Sequence, residues 1–109
     1  MRPDQISELT PYKRTPSFSE ATVPAGLLAD HATKEGVWAL IQVEEGALRY
    51  FVTDPRREAT ERLLTPEGEA GVVEPTILHR VEPVGAVRFH VQFLRQPGET
   101  RSAEGCKAL

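Results

Sequence analysis

Polar and apolar positions alternate with a period of two in several short stretches of this chain. The clearest is AVRFHVQFLR, where Val87, Phe89, Val91 and Phe93 interleave with Arg88, His90 and Gln92. Successive side chains on a strand point to opposite faces, so the pattern predicts a half-buried strand over residues 86–95. VWALIQVEEGALRYFV reads as a hairpin. Trp38 to Val43 is rich in β-branched and large apolar residues, Glu44-Glu45-Gly46 supplies the turn, and Leu48, Tyr50 and Val52 alternate with Arg49, Phe51 and Thr53. Strands are therefore expected over 37–43 and 47–53, with Asp54-Pro55 as the stop. Val72-Val73 and Ile77 to Val81, on either side of Pro75, predict strands over 71–74 and 77–82, and Pro83 to Gly85 reads as a further turn. RREATERLL fits a polar strand or a turn or two of helix. Leu27 and Leu28, after the turn residues Pro24 to Gly26, read as short-strand positions.

Pro3, Pro11 and Pro16 each remove a backbone donor and restrict the residue before them. Residues 1–17 are thus expected as an extended arm that lies across the domain or adds an edge strand. Residues 18–95 form the β domain, and the polar stretch 96–109 is a frayed tail. Short strands with Gly and Pro turns and no long amphipathic helix indicate an all-β sandwich or small barrel. Trp38, Leu40, Leu48, Tyr50, Ile77, Val81, Phe89 and Phe93 are its expected core or interface members.

Composition narrows the class. The 109 residues suit one domain, and the net charge of −3 comes without any long Lys/Arg cluster. A phosphate-tracking surface is therefore not expected, and nucleic acid is excluded as a partner. No apolar run approaches membrane-spanning length and the N-terminus has no apolar signal core, so no membrane association is expected. The single cysteine, Cys106, rules out an intrachain disulfide and fits a reducing, cytoplasmic compartment.

Candidate chemistry centres on the stretch VEPTILHRVEP, residues 73–83. His31, His79 and His90 are the only histidines, and Glu74 and Glu82 flank His79. Imidazole and carboxylate together suit a divalent metal: zinc, iron, nickel or manganese. Parity limits the set, because on a regular strand Glu82 points away from the face of His79 and Val81. A bend at Pro83 would bring Glu82 back, and Pro75 gives Glu74 similar freedom. His90 lies opposite the face of Phe89, Val91 and Phe93 and is a reserve ligand. The simpler alternative makes His79 a partly buried ring bonded to a backbone carbonyl, with both glutamates solvated. Ser17, Ser19, Ser102 and Cys106 lack any nucleophile context, and no phosphate-binding loop is present.

HATKEGVWALIQVEEGALRYFV and VVEPTILHRVEPVGAVRFHVQF, with PYKRTPSF and TVPAGLL ahead of them, resemble the TehB/YeaR-like family of small cupin-type domains associated with tellurite resistance. The resemblance covers about residues 11 to 95. It implies a double-stranded β-helix, or jelly roll, in which segments around His31 and His79 meet inside the barrel and hold a metal. Only His31 stands where a cupin's first motif carries two histidines and a glutamate. Some members also carry a methyltransferase domain that uses S-adenosylmethionine; this chain is too short for one and has no glycine-rich strand-to-helix turn.

The expected site is thus His31 and His79 with Glu82 or Glu74 as metal ligands. The expected function is a stress-associated cupin that binds a divalent metal and a small molecule or oxyanion. A metal-dependent dioxygenase or isomerase, or a metal-free binding or dimerisation module, are the competing readings. A homodimer is expected because exposed sheet edges invite pairing.

Overall fold

The computed structural model describes residues 9–95. Its elements are β1 (Thr10–Arg14), β2 (Phe18–Ser19), a four-residue helix α1 (Ala25–Leu28), β3 (Val37–Val52), β4 (Thr60–Leu64), β5 (Gly71–Val73) and β6 (His79–Arg95). All strand pairs are antiparallel. The long strands β3 and β6 pair with each other along their whole length. β1 and β2 lie on the outer edge of β6, and β4 and β5 on the outer edge of β3.

The hairpin expected at Glu44-Glu45-Gly46 is absent: residues 37 to 52 are one strand of 16 residues. Likewise the turn expected at Pro83 to Gly85 lies inside β6. Both stretches are bulges set against each other. Val43 pairs with Phe89 but Glu45 with Arg88, which leaves Glu44 over; Gly46 pairs with Val87 but Ala47 with Val84, which leaves Gly85 and Ala86 over. A bulge bends its strand and increases its twist. Here the two strands bend together at one corner. Gly46 makes the corner possible, with φ at +81° and its Cα hydrogens against the Ala86 carbonyl; a Cβ there would lie 2.1 Å from that oxygen.

Beyond the corner the sheet doubles back, and both arms of β3 close on a single core. Ala39 and Ile41 from one arm and Leu48 and Tyr50 from the other join Leu64, Val73, Val81, Val87, Phe89 and Val91. The Tyr50 hydroxyl donates across the fold to the Val72 carbonyl at 2.8 Å. Gly71 keeps this crossing close, since a Cβ there would come within 2.9 Å of Leu64 Cδ1 and 3.1 Å of the Tyr50 ring. Of the expected core, Leu48, Tyr50, Ile77, Val81 and Phe89 are buried, and Phe93 packs against the core from a half-buried position. Trp38 and Leu40 are half-buried instead. The extra residue Glu44 shifts strand parity by one, so the inward set is odd-numbered before the corner and even-numbered after it.

Residues 10 to 14 of the expected arm add an edge strand paired to Gln92–Arg95. Leu27 and Leu28 end the short helix rather than forming a strand. RREATERLL resolves into a loop followed by β4, whose inward residue is Leu64. Residues 1–8 and the tail 96–109, including Cys106 and Ser102, lie outside the described residues. No described helix is long and apolar enough to cross a membrane.

Candidate functional site

His79 opens β6 on its inward face, and His31 follows α1 in the loop that crosses it. The two residues exchange backbone hydrogen bonds, each N–H donating to the other's carbonyl at 2.9 Å. This isolated antiparallel bridge sets the rings side by side, with centroids 4.1 Å apart and planes tilted by 56°. Each ring is oriented by a carbonyl two residues back in its own chain. Nδ1 of His31 is 2.9 Å from the Ala29 carbonyl, and Nδ1 of His79 is 3.0 Å from that of Ile77. A carbonyl only accepts, so these contacts assign the proton of each neutral ring to Nδ1 and leave Nε2 as an acceptor. The edge of Tyr50 meets His79 at 5.8 Å.

His79 is only 4% exposed. Burial pushes its pKa below the ordinary 6.5; the Ile77 carbonyl pulls upward, the neighbouring His31 lowers it further, and Asp30 raises it slightly. A neutral imidazole is what desolvation favours here. His79 therefore does bond a backbone carbonyl, and it also belongs to a pocket.

That pocket, about 410 Å³, lies on the inward face of β3 and β6. The two histidines form part of its wall, Ile41, Val81, Phe89 and Phe93 give it apolar sides, and Lys13, Lys34 and Arg95 line it as cations. No aspartate or glutamate is among its described lining residues. Arg95 also stacks over the Tyr12 ring at 4.1 Å. The register of β1 against β6 places two of these charges, with Lys13 opposite Phe93 and Thr10 opposite Arg95, and Lys34 comes from the loop ahead of β3. Thr33 fixes the far wall: its hydroxyl donates to the Val37 carbonyl at 2.7 Å, and its carbonyl accepts the Thr76 N–H at 3.1 Å.

The fold thus joins His31 to His79 and leaves both glutamates elsewhere. Glu74 pairs with Arg57 at 2.7 Å and lines a second cavity beside Tyr50 and Ile77. Glu82 points outward, as strand parity requires, and lies 54% exposed at 4.0 Å from Arg49. Pro83 does not turn it inward, because the chain continues as strand. His90 sits on the opposite face, where its Nδ1 meets Glu44 Oε2 at 2.6 Å; Ser17 donates to the same oxygen at 2.7 Å. The expected divalent metal, whether zinc, iron, nickel or manganese, is corrected on this geometry. No group of three or more His, Cys, Asp or Glu that could hold a metal ion exists among the described residues, and two imidazoles alone do not complete such a site. Sequence reasoning missed Lys13, Lys34 and Arg95: Lys13 and Arg95 carry no signal until the β1–β6 register is known, and Lys34 none until the loop after His31 is placed on the pocket.

An all-β domain whose bent antiparallel sheet holds a histidine pair in an apolar, cation-lined pocket is the class defined so far. The TehB-like domain model matches residues 13–91, and the chain belongs to the TehB-like family. It is 34% identical over 77 residues to the Haemophilus influenzae protein named "Probable S-adenosyl-L-methionine-dependent methyltransferase TehB", a match that covers 70% of this chain and 27% of that one. A second H. influenzae strain has a protein of the same name, 32% identical over the same length. The chain thus spans about a quarter of the length of the curated relatives that it matches. The crystal structure of TehB from H. influenzae superposes with a TM-score of 0.79 and 27% identity, covering 91% of this chain and 35% of that one. A crystal structure of an E. coli (strain K12) protein gives a TM-score of 0.72 and 25% identity, over 83% of this chain and 93% of that one. These relatives also correct the expected function: the proteins this chain resembles in sequence are named for S-adenosylmethionine-dependent methyl transfer, not for a metal-binding cupin.

Proposed function

We propose that this chain serves S-adenosylmethionine-dependent methyl transfer as a binding domain, holding in the His31–His79 pocket a small molecule that the reaction consumes or produces. The pocket carries the proposal: a preformed concave site with apolar walls and a few convergent polar groups is the form that small-ligand sites take. The names of the relatives supply the reaction class.

S-adenosylmethionine itself does not fit the described residues. Its sulfonium and ammonium are cations, and the pocket offers three cationic side chains and no carboxylate. The nucleotide half wants a strand, a glycine-rich turn and a helix N-terminus. The one described helix has four residues and no side-chain cap. The methyl-transferring unit is therefore a separate body, and this domain acts on the other reactant. That the E. coli neighbour is almost wholly this fold supports a domain able to stand by itself.

The remaining expectations join the proposal. A jelly-roll-type closure is supported by the antiparallel order and the inward histidines, and a homodimer by the outer edge of β1, which pairs only with β6 among the described residues and whose five residues are all exposed. Cytoplasmic residence is supported by the single cysteine.

The test is a graft. This chain replaces the matched 77-residue segment of H. influenzae TehB, and methyl transfer is followed as S-adenosylhomocysteine release. The graft retains activity, and His31→Leu with Lys34→Met in the grafted segment raises KM for the methyl acceptor. An unchanged KM in that double variant would overturn the reading.

A further inference from the structure

The pocket's hydrogen-bonding capacity is lopsided, and that asymmetry names a ligand class. This step rests on the binding role just proposed. Both Nδ1 atoms are committed to backbone carbonyls, so the free nitrogens, Nε2 of His31 and Nε2 of His79, both accept. Neither has a partner among the described residues. Thr53 Oγ1 is the only deeply buried side-chain polar atom without a partner there, so Nε2 of buried His79 opens into the cavity. Lys13, Lys34 and Arg95 line the same cavity and can only donate. The apolar side chains of Ile41, Val81, Phe89 and Phe93 contribute neither.

A ligand that satisfies all three regions has an anionic group, an apolar body and a hydrogen-bond donor. We infer that the pocket takes a small organic monoanion that carries a neutral hydroxyl or thiol: the carboxylate sits among Lys13, Lys34 and Arg95, and the O–H or S–H donates to the Nε2 atoms of the histidine pair. A plain inorganic oxyanion leaves the apolar walls uncovered, and a fully deprotonated one sets acceptor against acceptor at the histidines. A cationic ligand is repelled by the lining charges. The hydroxyl or thiol bound at Nε2 is also the kind of group that accepts a methyl, which ties the class to the reaction.

Four matched probes test this on the whole chain at neutral pH, by calorimetric titration: 3-hydroxybenzoate, benzoate, 3-hydroxybenzyl alcohol and benzylamine. 3-Hydroxybenzoate binds tightest, about tenfold better than benzoate, the worth of one hydrogen bond. The alcohol is weaker than 3-hydroxybenzoate by a similar factor, and benzylamine does not bind. His31→Leu brings 3-hydroxybenzoate and benzoate closer together. Lys34→Met, at an exposed residue of the pocket lining, weakens both acids and leaves the alcohol unchanged, and it does so whether or not His31→Leu folds. If benzoate equals 3-hydroxybenzoate, or benzylamine binds as well as the acids, the ligand class is overturned while a binding role survives. If no probe binds, the ligand class and the binding role fall together.

Discussion

The backbone N–H of Leu78 donates to Oδ2 of Asp54 at 2.9 Å, and this bond ties the end of β3 to the start of β6. Asp54 sits at the hub of that junction. It also accepts from the Arg56 N–H at 2.8 Å and from the Arg56 guanidinium at 2.9 and 2.8 Å. Arg56 in turn donates to the carbonyl of Thr76 at 2.6 Å, a residue held at φ +64°. Leu78 immediately precedes His79, and Asp54 is not among the residues lining the pocket, so the carboxylate acts on the histidine pair through the backbone, from outside the pocket.

Replacing Asp54 by Asn keeps the shape and removes the charge. An amide cannot accept from all of these donors with either end. The loss should be at least about 1 kcal/mol, which lowers the melting temperature of a domain this size by roughly 4–8 °C or more, and His79 imidazole NMR signals should shift. Hydrogen bonds from Arg56 and Leu78 hold the Asp54 carboxyl far below its ordinary 3.8. The group's contribution is therefore present above pH 3.8 and is lost as pH falls through the depressed value. An Asp54→Asn variant that melts like the parent at neutral pH would show the hub to be dispensable.

Gly46→Ala should be the most disruptive single-methyl change in the sheet. The left-handed backbone alone costs about 1 kcal/mol for a non-glycine residue, and the contact with the Ala86 carbonyl adds steric strain against backbone on both sides of the corner. A loss of roughly 2–4 kcal/mol is expected from urea denaturation. Gly85→Ala is the control: it shares a positive φ of +67° but has open space around its Cβ, so its loss should stay near the backbone figure alone. Equal losses at the two positions would mean that close packing at the corner is unimportant.

Phe89→Ala should cost about 3–5 kcal/mol. The ring is fully buried and meets Phe18 edge-on at 5.7 Å, so truncation leaves a cavity beside the pocket. Leu63→Ala, on β4 at 58% exposed, should change stability by less than about 0.5 kcal/mol. Denaturation midpoints of the two variants decide it.

His79 predicts a pH dependence of opposite origin to an ion pair. Its folded ring resists protonation because it is buried, while the unfolded ring titrates near 6.5. Below that value the unfolded state binds the extra proton, so stability falls as pH drops, until the folded ring titrates too. The difference in urea midpoint between the parent and His79→Phe should shrink or reverse between about pH 7.5 and about pH 5. Parallel pH profiles would place His79 in water rather than in the wall.

Much of this was legible from residue patterns, and the failures share one cause. The alternation around Phe89 and Val91 matches the inward face, and the same parity places His90 outside; parity alone also places Glu82 outside, and the expected bend at Pro83 that would return it as a ligand is absent. What misled was the corner. Glu44-Glu45-Gly46 and Pro83 to Gly85 carry ordinary turn chemistry, and nothing local distinguishes a hairpin turn from two bulges stacked across a strand pair. The bulge at Glu44 flips the parity of the preceding arm, which is why Ala39 and Ile41 are buried there while Trp38 and Leu40, expected as core or interface members, are half-buried. The proximity of His31 and His79 is legible only through the family likeness, since an isolated bridge between a loop and the distant first residue of β6 creates it. The metal expectation failed because Glu74 and Glu82 have arginine partners of their own, Arg57 and Arg49, that sequence spacing does not reveal.

The unbroken ladder between β3 and β6 also sets how this chain can reach its fold. Its pairs begin at Val52 with His79, 27 residues apart, and end at Val37 with Arg95, 58 apart. Every rung further from the first closes a longer loop, so this ladder, unlike the local β3–β4 hairpin that starts at Val52 and Thr60, cannot assemble from short-range contacts. The search for the first rung, near the Asp54 junction, is an entropic barrier met early. Refolding is then expected in the millisecond-to-second range of non-local β topologies rather than the microseconds of helical bundles. Once that rung is set the strands can zip toward the glycine corner, and the histidine pair, next to the starting rung, is among the first parts of the pocket to form.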